Sequence, residues 1–140
     1  NEQRHSEMGA FSSAIHATLT TDTQTYTAGA TLFGATMPRL ISLAEFRLEA
    51  YLDGILLLFT HDDVPGIIGR VGTLLGKHNV NIAQMSVGRA AHTPGGRAIG
   101  VLNLDSAPPE EAIKEMLQSD VLHIVKVIEL PSAGELPPWM

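Results

Sequence analysis

Hydrophobic positions divide the chain into two stretches with different rhythms. Between residues 14 and 33 the apolar side chains Ile15, Leu19, Tyr26, Leu32 and Phe33 stand among threonines and other polar neighbours. That pattern suits short strands better than a helix. It predicts strands over about 14–20 and 24–32, joined by a turn at Thr21-Asp22-Thr23 and closed by Gly34. Residues 37–45, with Pro38, Arg39, Leu40, Ile41 and Leu43, read as a connector or a short strand, and the stretch from Phe46 to Tyr51 leads to the turn dipeptide Asp53-Gly54.

After Gly54 the rhythm sharpens. Ile55-Leu56-Leu57-Leu58-Phe59 has strand length and is apolar on both faces, as a central strand requires. Beyond His61-Asp62-Asp63-Val64-Pro65-Gly66, the residues Ile67, Val71, Leu74 and Leu75 fall at i, i+4, i+7 and i+8, which predicts a helix to about His78. Gly66, Gly69, Gly72 and Gly76 sit at its start and within it. Each interior glycine costs about 1 kcal/mol against alanine, so close packing against a sheet or a partner helix is expected to offset them. Strands over 79–89 and 97–105, separated by Thr93-Pro94-Gly95-Gly96, are expected to pair as a hairpin. Pro108, Pro109, Glu110 and Glu111 mark a second helix start, with prolines in the first turn and acids at the positive end of the dipole. Ile113, Met116 and Leu117 give that helix an apolar face, and a strand over 121–130 precedes a proline-rich tail.

The order over 52–130 is therefore β-α-β-β-α-β. This is the ferredoxin-like arrangement of an α+β domain, with a four-stranded antiparallel sheet and two helices on one face. The opposite face must be covered or solvated. The chain thus divides into a strand-rich piece over 1–50, the βαββαβ domain over 51–131 and a tail over 132–140; the resemblance described below implies that the first piece is part of an α+β domain.

Composition narrows the function classes. The chain has 140 residues, 44% of them hydrophobic, and a net charge of −6 with nine Lys and Arg. Those cations are scattered, so no basic stripe points to nucleic acid. The apolar run over 55–59 is far below the roughly 20 residues of a membrane helix, and nothing near the start reads as a signal peptide. Cysteine is absent, which removes disulfides, thiolate catalysis and Cys-based metal sites. A cytoplasmic location is expected. The chain opens on Asn1, in a stretch of little periodicity, which suggests that it begins inside a longer protein.

Several familiar signals fail. Gly72-Thr73-Leu74-Leu75-Gly76-Lys77-His78 has one residue too few between its glycines for a phosphate-binding loop and lacks the following Ser or Thr. The Gly66, Gly69, Gly72 spacing lacks the paired glycines of a dinucleotide loop, and Arg70 alone is too little charge for a KH-type clamp. The six His residues form no close metal spacing, and no metal is expected. No nucleophile–base pair can be placed, so no catalytic residue is assigned.

The informative segment is the loop from 59 to 69, Phe-Thr-His-Asp-Asp-Val-Pro-Gly-Ile-Ile-Gly. A helix N-terminus offers unpaired N–H groups and a positive dipole end to a carboxylate, while Asp63 beside it is suited to an ammonium group. Together they match a zwitterionic amino acid. The plainer alternative is that Asp62 or Asp63 caps the helix and Pro65 starts it.

Residues 64–85, Val-Pro-Gly-Ile-Ile-Gly-Arg-Val-Gly-Thr-Leu-Leu-Gly-Lys-His-Asn-Val-Asn-Ile-Ala-Gln-Met, resemble the core signature of ACT domains. The preceding tract over 28–54, with Pro38-Arg39-Leu40 and Phe46-Arg47-Leu48, resembles the C-terminal half of the intervening, allosteric substrate-binding domain of long-form D-3-phosphoglycerate dehydrogenases. The resemblance covers nearly everything from about residue 10 to the tail. It implies an allosteric, amino-acid-sensing and oligomerising region of an NAD-dependent oxidoreductase of serine biosynthesis, with L-serine as effector and assembly as a homodimer or higher oligomer. The cofactor NAD and the catalytic domains would lie elsewhere in the parent enzyme, leaving this chain no cofactor and no dehydrogenase activity of its own. The resemblance also implies roles. Asp63 would hold the ligand ammonium, His61 would touch its side chain or carboxylate, and Asn81 would hydrogen-bond across a subunit interface. Asn81 also admits a plainer role, bonding its own backbone at a turn exit. Arg39 and Arg47 would belong to an anion site, guanidinium being suited to carboxylate or phosphate, unless both are simply solvated. Two other parents fit less closely: the β chain of an iron–sulfur L-serine dehydratase, and a stand-alone ACT dimerisation module.

Overall fold

The computed structural model describes residues 13–34, 36–92 and 94–134. They form two four-stranded antiparallel sheets. The first is a meander of β1 (Ile15–Thr20), β2 (Thr25–Phe33), β3 (Met37–Leu43) and β4 (Phe46–Tyr51), in that order. Among the described residues before Gly54 only strands occur, so the open reading of residues 37–45 resolves as strand. Pro38 is tolerated near the start of β3, where it faces Leu32, and its carbonyl accepts from Leu52 N at 3.3 Å.

The second sheet follows the expected β-α-β-β-α-β order: β5 (Gly54–Asp62), α1 (Ile67–Lys77), β6 (Ile82–Arg89), β7 (Arg97–Leu104), α2 (Glu110–Leu117) and β8 (Leu122–Leu130). Its strand order is β6-β7-β5-β8, which leaves β6 and β8 at the edges. Alternation along the central strands builds two cores. Leu57, Phe59, Leu102 and Leu104 face the helices and pack with Ile67, Val71, Leu75 and Met116. Leu56, Leu58, Ile99 and Val101 face the other way and pack with Leu40, Phe46 and Ala50 of the meander. The face left open by the sequence argument is thus covered largely by β3 and β4.

Local chemistry explains the element ends. Asn79 takes a left-handed φ of 56° and closes α1, its N–H donating to Gly76 O at 3.0 Å. Glu110 and Glu111 occupy the first turn of α2, where the dipole favours them. On α2 Ala112 and Met116 are buried and Ile113 packs partly buried against the same core, so of the expected Ile113, Met116 and Leu117 only Leu117, half exposed at the helix end, turns away from the sheet. The helix glycines depart further from expectation. A Cβ built on Gly69, Gly72 or Gly76 meets nothing within 4 Å, so close packing within the chain does not explain them.

Two other glycines carry close contacts. A Cβ on Gly100 of β7 would lie 2.2 Å from the Phe59 ring, which rests on the bare backbone of its paired strand. A Cβ on Gly88 of β6 would lie 2.3 Å from Arg47 O of β4. Glu49 N also donates to Ser86 Oγ at 3.2 Å, so β4 is laid closely across β6. Where β4 gives way to β5, buried Asn103 donates through Nδ2 to Tyr51 O at 3.2 Å and to Asp53 O at 3.1 Å.

Candidate functional site

The strand β5 ends in Thr60-His61-Asp62, and the loop Asp63-Val64-Pro65-Gly66 turns into α1. Gly66 is the N-cap, at φ 91°, and no side chain caps the helix. The plainer reading of the two acids therefore fails: neither Asp62 nor Asp63 caps α1, and Pro65 precedes the cap instead of opening the helix. The first N–H groups of α1 lack a side-chain acceptor, and its macrodipole makes that end attractive to an anion.

The acids diverge to opposite edges of the sheet. Asp62 Oδ1 lies 2.8 Å from His123 Nε2. His123 is the extra residue of a bulge in β8, since Thr60 pairs with Ile124 but His61 with Leu122. Asp63 instead turns toward β6, where its Oδ2 lies 2.7 Å from Arg89 Nε. The same Oδ2 is buried without an aligned hydrogen-bond donor, so the contact is a short ion pair in which the guanidinium N–H does not point along the oxygen. Asp63 N donates to Gly96 O at 2.8 Å and anchors the loop.

His61 is 3% exposed and lies on the helix side of β5 beside Phe59, their ring centroids 5.6 Å apart. Its Nδ1 is 2.7 Å from Asp62 O, and its Nε2 is buried without a partner. With His61 so deeply buried, a ligand reaches this ring only if the residues that cover it shift.

Asn81 stands elsewhere. It lies just before β6, exposed, donating through Nδ2 to Asp105 Oδ2 at 2.7 Å, while Asp105 N donates to Asn81 O at 3.2 Å. In register, Ile82 is level with Leu104 and Ile55, whereas Arg89 is level with Ala98 and His61. Six residues of strand separate the two levels, or about 20 Å. Within one chain His61 and Asp63 are two residues apart at the end of β5 but face different surroundings, His61 buried beside Phe59 and Asp63 lining a cleft, and Asn81 joins neither.

The expected anion pair also separates. Arg47 lines an open cleft of about 740 Å³ together with Glu45, Asp63, Gly88, Arg89 and His92. Arg39 is four β4 residues away in register, paired with Tyr51. Its guanidinium stacks 4.0 Å from the Tyr51 ring centre and 5.4 Å from that of Phe33, and its Nη1 donates to Pro38 O. Arg47 therefore belongs with the Asp63 cleft, and Arg39 with two aromatic rings. Sequence reasoning missed Arg89, which is 26 residues from Asp63 and meets it only because the end of β6 lies beside the end of β5 through β7; nothing in the linear spacing could have shown this.

Other chemistry has little support. Among the described residues no three His, Asp or Glu side chains are placed to hold a metal. Gly69 and Gly72 lie inside α1, so the glycine spacing noted in this strand-to-helix connection is helix and not a dinucleotide-binding loop. No helix among the described residues is long and apolar enough to cross a membrane.

Comparison with known proteins fits this geometry. Residues 55–120 match the ACT domain family. Over 131 residues the chain is 34% identical to D-3-phosphoglycerate dehydrogenase of Bacillus subtilis, covering 94% of this chain and 25% of that protein. It is 37% identical over 92 residues to the Archaeoglobus fulgidus protein of the same name, covering 66% of the chain and 18% of that protein. Against the Methanocaldococcus jannaschii protein, identity is 38% over 93 residues, 66% of the chain and 17% of that protein. The chain therefore spans a quarter or less of the length of these relatives. Family match and strand order coincide on the same stretch: from β5 to the end of α2 the chain matches the ACT domain family and has its β-α-β-β-α order in a four-stranded antiparallel sheet.

Proposed function

We propose that this chain is the amino-acid-sensing and assembly region of an NAD-dependent D-3-phosphoglycerate dehydrogenase, with L-serine as its effector. One observation carries the reading: the Asp63 carboxylate is held in a cleft at the ends of β5 and β6, in the same short loop that leads three residues later to the uncapped N-terminus of α1. An α-amino acid presents an ammonium to the first and a carboxylate to the second. On binding, the ammonium would take the place of Arg89 on Asp63.

The separation of Asn81 makes a second copy part of the proposal. β6 is an edge strand, and its exposed Met85 and Val87 lie beside that edge on the helix side. A two-fold axis pairing β6 with β6 of another copy runs the strands antiparallel. The beginning of one then lies beside the end of the other, which brings Asn81 of one chain toward Arg89 and Asp63 of its partner. An effector shared between chains favours the arrangement that binds it better, with coupling of about 1–3 kcal/mol typical of such sites. The three relatives named above are D-3-phosphoglycerate dehydrogenases, which favours that parent over the dehydratase.

Titration calorimetry with L-serine, glycine and 3-phosphoglycerate, read beside sedimentation equilibrium, tests the reading. Heat with L-serine that disappears in Asp63→Asn supports it. A dimer that gives no heat with any of the three ligands reduces the chain to an assembly module and overturns the sensing role.

A further inference from the structure

The meander covers the β6–β7–β5 part of the ACT sheet more completely than the β8 side. Ile124, Lys126 and Ile128 of β8 pair with Thr60, Leu58 and Leu56 and so share the face turned toward the meander. Ile124 and Ile128 remain 49% and 41% exposed. Between them and the start of β2 opens a cleft of about 310 Å³, at the lower end of the size range of small-molecule sites. Its apolar walls include Tyr26, Phe46, Leu58, Ile99, Ile124 and Ile128. None of His61, Asp63 and Asn81 lines it.

One polar group is set among those walls. Thr60 lines the cleft, is 8% exposed, and its Oγ1 is buried without a hydrogen-bond partner. Buried hydroxyls are normally satisfied, so this one is suited to a bound group. Lys126 lies diagonally across the β5–β8 ladder from Thr60 and also lines the cleft. Arg97 and Glu45 complete the polar lining, their side chains 3.8 Å apart in a loose ion pair. Two cations against one acid favour an anionic head group, and the hydrocarbon walls require an apolar body.

We propose that this cleft binds a small apolar carboxylate, its hydrocarbon against Phe46, Leu58, Ile99 and the β8 isoleucines, its carboxylate accepting from Thr60 Oγ1 and pairing with Lys126. The site is separate from the amino-acid site and does not depend on it. A peptide strand or a second copy laid on the same isoleucines would cover apolar surface without selecting for negative charge.

The 140-residue chain, titrated with sodium hexanoate and in parallel with hexan-1-ol and followed by amide NMR shifts, tests this. Hexanoate is expected to shift Thr60, Ile124 and Lys126 and to bind at least about tenfold more tightly than the alcohol, as loss of a charge-assisted hydrogen bond implies. Thr60→Val and Lys126→Met each lower hexanoate affinity several-fold, Thr60→Ser retains it, and Asp63→Asn leaves it unchanged. Equal affinity for acid and alcohol, shifts confined to other residues, or shifts at these residues that follow protein concentration instead of ligand would each overturn the proposal.

Discussion

Gly88 of β6 lies directly beneath the Arg47 carbonyl of β4, so near that a methyl group on Gly88 would come within 2.3 Å of that oxygen. A backbone atom has no rotamer by which to withdraw. Gly88→Ala must push β4 away from β6 and loosen the core formed by Phe46, Ala50, Leu56 and Leu58. Overpacking of this kind costs about 1–3 kcal/mol, and a lower urea midpoint with an unchanged ACT-domain fold is the expected result.

Gly100 and Phe59 make a second such pair, in which the obstructing group is a side chain. Phe59 is 1% exposed and cannot swing into solvent. Gly100→Ala is expected to destabilise the chain by about 1–3 kcal/mol. Because the clash is with the ring, much of that loss should vanish in the Phe59→Leu background. A double-mutant cycle in urea measures the coupling, and simple additivity would show that the ring is not the obstacle.

Gly69, Gly72 and Gly76 predict the opposite sign. With open space around each Cβ position, replacement by alanine raises the stability of the isolated chain by up to about 1 kcal/mol per site. If a second copy packs on this helix, the same substitutions weaken self-association. Thermal melts and sedimentation on the single variants separate the two effects.

An effector site divided between chains makes complementation possible. Asp63→Asn and Asn81→Ala are each expected to weaken L-serine binding by about 10- to 100-fold, the range for losing a hydrogen bond to a charged partner. Mixing the two variants creates mixed dimers with one intact site and one doubly damaged site. Recovery of half the binding capacity is expected in those dimers. No recovery would place Asn81 outside the site.

Acid should weaken one surface contact between the helices. Lys77 Nζ lies 2.8 Å from Glu115 Oε1 and His78 Nε2 lies 3.1 Å from Oε2. Lys77 first, and then His78, hold the Glu115 carboxyl below its ordinary value of 4.5. A lowered folded-state value means that the contact stabilises fully above about pH 4.5 and is lost as pH falls through the folded value. Glu115→Gln is therefore expected to differ from the parent at pH 7, by a small margin because the pair is exposed, and to converge with it as the pH falls through the lowered folded value. Urea midpoints measured from pH 7 downward through the acid range check this.

The ACT unit was legible because its elements carry strong periodic signals: an apolar run for β5, an i, i+4, i+8 stripe of Ile67, Val71 and Leu75, and the glycine-marked hairpin before Arg97. β3 was ambiguous because Pro38 and Arg39 interrupt its alternation. The partners Arg89 and Asp105 could not be read, since both contacts arise from register across strands and not from spacing along the chain. Gly88 and Gly100 left a usable trace, a glycine inside a strand pattern being a sign of close backbone approach.

Asn103 gives the junction of the two sheets its mechanical character. Only Leu52 and Asp53 connect β4 to β5, and the carbonyls on either side of Leu52 are both gripped by one amide on β7. Such a joint has no slack to absorb motion. Displacing β7 would pull the end of β4 with it, so the two sheets are expected to move as one body, like two blades riveted at a single point.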